Sequence, residues 1–351
     1  MAFKTEDDIS VGCKHHLNLS CLAYEVIHND MFAFGEESLS GFINTIFDHY
    51  HPDADASIAR RLRIEKDSLQ NLLSKFSDDK LVGQIIRRIL AKKEDALTQK
   101  VKSYEKGKGF KFWLSQKNLE FLSGSPTECN EDTQYPSRGK YIKCVIEEYA
   151  RLPYIDREKI YYLPTIKKIE NAIEEKCQLC VVTDLDKAYS VYPYGNLSDP
   201  LSTANYLVGY CKRYGYDTDE KRPCSFRISA IKSIKIEKSK GAFINKDDRK
   251  KITELIASRG VQFLVGQDAE IVVRLTDAGI RKYQRQVYLR PMLAEKRDDN
   301  IFVFQCTTAQ AEFYFLKFGP DAEIISPPQL RSKVVEMHEK ALNTYSESEN
   351  S

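Results

Sequence analysis

The sequence predicts an α+β protein in three parts. A helical N-terminal domain carries two short strands, a small β domain follows, and a small α/β domain ends the chain. Three observations predict this. Near the N-terminus, short alternating runs stand beside amphipathic helical stretches. Between about residues 179 and 236, strand-like runs follow one another. Beyond residue 270, strand and helix patterns alternate. The 351 residues, 42% hydrophobic and 30% charged with a net charge of +2, suffice for several cores and exclude a disordered chain. No apolar run of about 18 residues is present, so no membrane partner is expected. The first residues lack the apolar segment of a secretory signal. Nine cysteines in irregular spacing fit a reduced, cytoplasmic chain.

Lys14-His15-His16-Leu17-Asn18-Leu19 alternates as a short strand does, and Ser20 is suited to cap a helix over Cys21 to Phe32. Gly35 breaks that helix. A second follows, with Phe42, Ile43, Ile46 and Phe47 on one face, and Pro52 is expected to stop it. Gly109 to Ser115 alternates again, and Tyr141 to Ile146 echoes Phe42 to Phe47. These are two strand–helix–helix copies whose strands are expected to pair within the chain. Residues 54–105 between them are expected to be a helical insertion, with Leu69, Leu72, Leu73, Phe76, Leu81, Ile85, Ile86 and Ile89 as its apolar stripes. The bland alternative is a set of unrelated helices that merely look alike. If Leu17, Leu19, Phe112 and Leu114 point to the core, then Lys14, His16, Asn18, Lys111 and Trp113 point away. An exposed Trp113 beside lysines suits base stacking. The alternative is a tryptophan covered by the insertion.

The strand–helix–helix pattern, carried by KHHLNLS, AYEVI and SLSGFINTIF, resembles the ribbon–helix–helix family, whose paired strands enter the DNA major groove.

A helix from Pro164 with Ile166, Ile169 and Ile173 on one face opens the next part. Strands are then expected at Leu179–Thr183, Tyr189–Tyr194, Ala204–Arg213, Ser225–Ile228 and Ile231–Ile236. Asn205-Tyr206-Leu207, Val191-Tyr192-Pro193 and Phe226 to Ile231 stand where the WYL domain, a small SH3-like (Sm-like) β-barrel, has its defining elements. The stretch resembles that family, although Asn205 replaces its tryptophan and Ala230 its second arginine. The resemblance implies a surface for a negatively charged ligand or nucleic acid. Its candidates are Tyr192, Tyr206, Tyr210, Lys212, Arg213, Arg227 and Lys232, and Arg227 is the strongest because a guanidinium matches phosphate geometry. Tyr206 and Leu207 also fit a core role.

Strands at Glu270–Leu275, Ile301–Gln305 and Ala322–Ile325 alternate with helices at Asp277–Tyr283, Thr308–Phe318 and from Pro327-Pro328, where Val334, Val335 and Met337 give an apolar side. Gly319, Ile325, Pro327, Leu330 and Arg331 resemble the ending of the extension that follows WYL domains, which implies a homodimer. The expected division is a ribbon–helix–helix-like domain at 1–160, a WYL domain at 161–240, its extension at 241–345 and a disordered tail at 346–351.

The charge is uneven. Residues 1–58 hold 2 basic and 10 acidic side chains, residues 59–118 hold 16 and 7, residues 226–260 hold 10 and 4, and residues 298–351 hold 4 and 9. Basic segments attract phosphates, or simply form solvated faces. Nucleotide-binding and hydrolase motifs are absent. Cys177 and Cys180 have CxxC spacing without a second pair. His49, His51 and Asp53 stand at a helix end. Neither group reads as a metal site, and no enzyme activity, metal or cofactor is expected. The combined resemblance is to WYL accessory proteins of type VI-D CRISPR systems. It implies binding of single-stranded RNA and enhancement of the RNA-guided effector nuclease. The alternatives are a DNA-binding transcriptional regulator whose barrel senses a ligand, and a protein–protein adaptor.

Overall fold

The computed structural model describes residues 14–73, 80–89, 108–123, 138–199, 204–215, 220–237, 244–266 and 268–348. The chain forms two compact units, Met1–Leu163 and Pro164–Ser351.

The first unit contains β1 (His15–Leu19), α1 (Cys21–Phe34), α2 (Leu39–Leu73), α3 (residues 80–89), β2 (Lys108–Phe112), α4 (Gln116–Ser123), α5 (Arg138–Arg151) and α6 (Tyr154–Tyr161). Strands β1 and β2 pair antiparallel, with Leu17 opposite Phe110 and Asn18 opposite Gly109. Strand–helix–helix thus occurs twice, and its two strands meet within one chain. Alternation turns Leu17, Leu19, Phe110 and Phe112 inward onto Ile27, Phe42, Phe47, Leu122, Ile142 and Tyr149. Ser20 caps α1 by accepting from the Ala23 amide at 3.1 Å, and Ser115 caps α4 by accepting from the Asn118 amide at 3.3 Å. Glu147 of α5 accepts from both the Ser20 amide and its hydroxyl, each at 2.7 Å, tying the second half to the first. Gly35 ends α1 at φ 70°, a left-handed conformation in which a Cβ would be strained.

Pro52 does not stop its helix: α2 runs on to Leu73. Proline removes one backbone donor, but Pro52 lies on the exposed face while Tyr50, Ala54, Ile58 and Ala59 are buried on the other. Packing outweighs the lost bond. Residues 54–59 therefore belong to the core helix rather than to an insertion. Beyond them Ile86 is buried, but Leu72, Leu81 and Ile85 are exposed and Leu69, Leu73 and Ile89 only partly covered, so the expected stripes form no continuous core. Phe76 lies outside the described residues.

Helix α7 (Leu163–Glu174) begins at the last residue of the first unit and runs into the second, where β3 (Gln178–Thr183), β4 (Ala188–Asp199), β5 (Ala204–Arg213), β6 (Arg222–Arg227) and β7 (Ile231–Glu237) follow. These strands form one antiparallel sheet in the order β6-β5-β4-β3-β7. Its two edge strands are joined by the 3-10 turn Ile228–Ala230 alone. A flat five-stranded sheet holds its edges about 19 Å apart. Four residue steps reach at most about 14 Å. The sheet must therefore roll. Helix α8 (Lys246–Arg259), which the sequence patterns did not reveal, packs Ile252 against Tyr192, Tyr206, Val208 and Tyr210.

The rest is β8 (Asp268–Leu275), α9 (Asp277–Arg285), β9 (Met292–Arg297), β10 (Ile301–Thr307), α10 (Thr308–Phe315), β11 (Ala322–Ser326) and α11 (Pro328–Ser348). Its sheet, ordered β11-β8-β10-β9, is antiparallel throughout, so this part is α+β in character rather than the expected α/β. Ile271, Val273, Phe304, Tyr314, Phe315 and Phe318 form its core. β9 is an edge strand that the sequence patterns did not reveal, and all six of its residues are exposed. Val335 is exposed, not on the apolar side of α11. That helix continues through Ser346 to Ser348, where a disordered tail was expected.

Candidate nucleic-acid interface

The outward face of the β1–β2 ribbon holds five of the expected residues. Lys14, His16, Asn18, Lys111 and Trp113 are all exposed, because alternation commits their neighbours to the core. Trp113 is 44% exposed. The Lys14 ammonium lies 5.9 Å from the centre of its ring, a cation–π contact at the ribbon end. The backbone of Trp113 is fixed by α2. Its amide donates to the Ser40 hydroxyl at 2.9 Å, and its carbonyl accepts from the Asn44 amide group at 2.7 Å. Asn44 also accepts from the Ser115 amide at 2.7 Å and from Asn118 at 3.0 Å. An aromatic side chain is thus displayed to solvent on a rigid mount.

The rolled sheet treats its candidates differently. Tyr192, Tyr206 and Tyr210 are only 8%, 7% and 5% exposed, packed beneath α8 and the turn after it. They are core residues here and present no ring face to a base. The resemblance made them candidates for the ligand surface, and their burial leaves them within the core instead. Leu207 is likewise fully buried. Burial, followed by the nearby Asp248, pushes the Tyr210 phenol up. The face of Tyr192 is covered by Lys221, whose ammonium lies 3.8 Å from the ring centre. Arg227 and Arg213 are exposed, and Lys212 is half-buried. Arg227 stands opposite Tyr206 on neighbouring strands. Lys232 forms an ion pair with Asp186 at 2.5 Å, so part of its charge is already answered. The expected barrel cations are exposed separately, for Arg213 and Tyr206, the strand partner of Arg227, stand seven residues apart on β5, whereas the aromatics are buried.

Neither histidine of the His49–Asp53 stretch faces a shared centre. His49 Nδ1 contacts the Ile160 carbonyl at 2.7 Å, and His51 packs against Phe47 and Phe121. Among the described residues no group of three potential ligands comes together, and no helix is long and apolar enough to cross a membrane.

Gly109 and Lys221 are the residues that sequence patterns missed. Gly109 had a signal, a strand position on the outward face with no side chain. Lys221 had none.

The second unit supplies the family likeness. Residues 267–342 match the WCX domain. The whole chain also shares its fold with the crystal structure of a CRISPR Cas-related protein. The TM-score is 0.72 at 20% identity, over 99% of this chain and 98% of that one. Proteasome accessory factor B/C (PafBC) of Arthrobacter aurescens matches over 79% of this chain and 46% of its own, at 13% identity and a TM-score of 0.29, too slight a likeness to argue from. No curated protein matches. The expected resemblance is borne out to this extent: a WCX domain stands where the extension of a WYL domain was expected, and the whole chain has the fold of a CRISPR Cas-related protein.

Proposed function

We propose that this is a non-enzymatic accessory protein of a CRISPR system. It binds single-stranded RNA and enhances a type VI-D RNA-guided nuclease, acting as a homodimer. In this reading the two strand–helix–helix halves are a ribbon–helix–helix pair fused in one chain, and the rolled sheet is the SH3-like barrel of a WYL domain. The observation that carries RNA binding is the ribbon face, where an exposed Trp113 stands beside Lys14 with Lys111 on the same surface. Stacking on an aromatic side chain suits unpaired bases. The exposed Arg213 and Arg227 offer two further, separate places for phosphate.

A second reading is a DNA-binding transcriptional regulator. It is favoured by the antiparallel pairing of β1 with β2, the element that enters the major groove in ribbon–helix–helix proteins.

One titration separates them: labelled single-stranded RNA, single-stranded DNA and duplex DNA against the protein at several salt concentrations. Preference for RNA, weakened by about 1–3 kcal/mol in Trp113→Ala, supports the first reading. Preference for duplex supports the second. No binding to any of the three sinks both and leaves a protein–protein adaptor.

A further inference from the structure

On the ribbon, Gly109 lies directly opposite Asn18, and His16 is one pair further along on the same face. A Cβ placed on Gly109 would come within 2.5 Å of His16 Nε2 and 2.7 Å of Asn18 Oδ1. Both polar tips therefore lie over the glycine, in the space a side chain would fill. Neither His16 nor Asn18 has a side-chain hydrogen bond to the protein among the described residues, so their donors and acceptors remain unspent. The same face carries Lys111 and Trp113. The result is a flat polar platform in the middle of the ribbon, with a stacking ring at one end and cations around it.

We propose that Gly109 holds Asn18 and His16 as a base-selecting pair, and that the base they select in single-stranded RNA is adenine. A carboxamide matches adenine at two atoms, donating to N7 and accepting from the exocyclic N6 amine. The imidazole adds a polar group beside it. An open surface with a stacking ring at its end suits an unpaired base, whose N7 and N6 edge is free to meet the carboxamide. Gly109 is here a positioning residue. It touches no ligand, and it makes the platform flat by leaving room for its neighbours.

The inference rests on the reading that the protein binds single-stranded RNA, and the test keeps the two apart. Short RNAs of A only, C only and U only are titrated against the wild type, Gly109→Ala and Asn18→Ala. The wild type is expected to favour A by about tenfold, within the range of one bidentate base contact. Gly109→Ala adds a methyl group that meets only side-chain ends on an exposed face, so the fold should survive, as a thermal melt would verify. It should bring the preference to about twofold or less and leave the salt dependence unchanged, because Lys14 and Lys111 remain. Asn18→Ala adds no atom to the ribbon and should do the same. RNA binding in the wild type without an A preference overturns the inference and spares RNA binding. An A preference that persists in both variants also overturns it, since stacking on Trp113 would then be its source. Absence of any RNA binding overturns both.

Discussion

Asp30 is a buried carboxylate whose two oxygens are both engaged. Oδ2 accepts from Arg157 Nε at 2.6 Å and from the Tyr149 hydroxyl at 2.8 Å, and Oδ1 accepts from Arg157 Nη2 at 3.0 Å. Removing one partner of such a pair strands the other charge in a poor solvent. Arg157→Ala is expected to lower the stability of the first unit by about 3–5 kcal/mol, read from denaturant or thermal melts. Tyr149→Phe should cost less, about 1–3 kcal/mol, because the ion pair survives it. Equal effects of the two would show that the guanidinium is not the main support. Burial sets thiol chemistry as well. It pushes the Cys144 and Cys306 thiols up to about 12, so neither forms thiolate near neutral pH. A thiol reagent at pH 8 should label the partly exposed Cys21 well before either, as peptide mapping would reveal.

At the scale of elements, β4 and β5 approach so closely that a Cβ on Gly209 would fall 2.1 Å from the Tyr192 carbonyl oxygen. Backbone cannot yield as a side-chain tip can. Gly209→Ala should therefore cost about 3 kcal/mol or more, against little for Gly109→Ala, and comparable melts of the two would refute this contrast. Much of this architecture was legible. Ala204–Arg213 stood out as a strand because apolar and aromatic residues run through it, and it matches β5. The ribbon face was legible because alternation alone fixes which side chains leave the core. The burial of Tyr192, Tyr206 and Tyr210 was not, because their cover comes from α8, where Ile252 alone is buried and no amphipathic stripe announces a helix. β9 was hidden for a related reason: six exposed residues at a sheet edge carry no inward face. Pro52 misled because a proline's local cost says nothing of the packing on the far side of its helix.

For the whole molecule, the net charge of +2 conceals acidic ends around basic segments, so affinity should depend on a few cations. Each phosphate neutralised on a single strand adds about −0.7 to the slope of log affinity against log salt. Contact through Lys14 and Lys111 alone predicts a slope near −1.4, and engagement of Arg213 and Arg227 a steeper one. Arg227→Ala should then flatten the slope by about 0.7. An unchanged slope would remove that arginine from the interface.

Pairing β1 with β2 inside one chain has a consequence for orientation. A ribbon made by two identical chains looks the same from either end. This one does not, for its single tryptophan stands beyond one end of the ladder, and the two strands carry different side chains. It has a head and a tail. RNA runs from 5′ to 3′, so a strand lying along this face meets a surface that can distinguish its two directions.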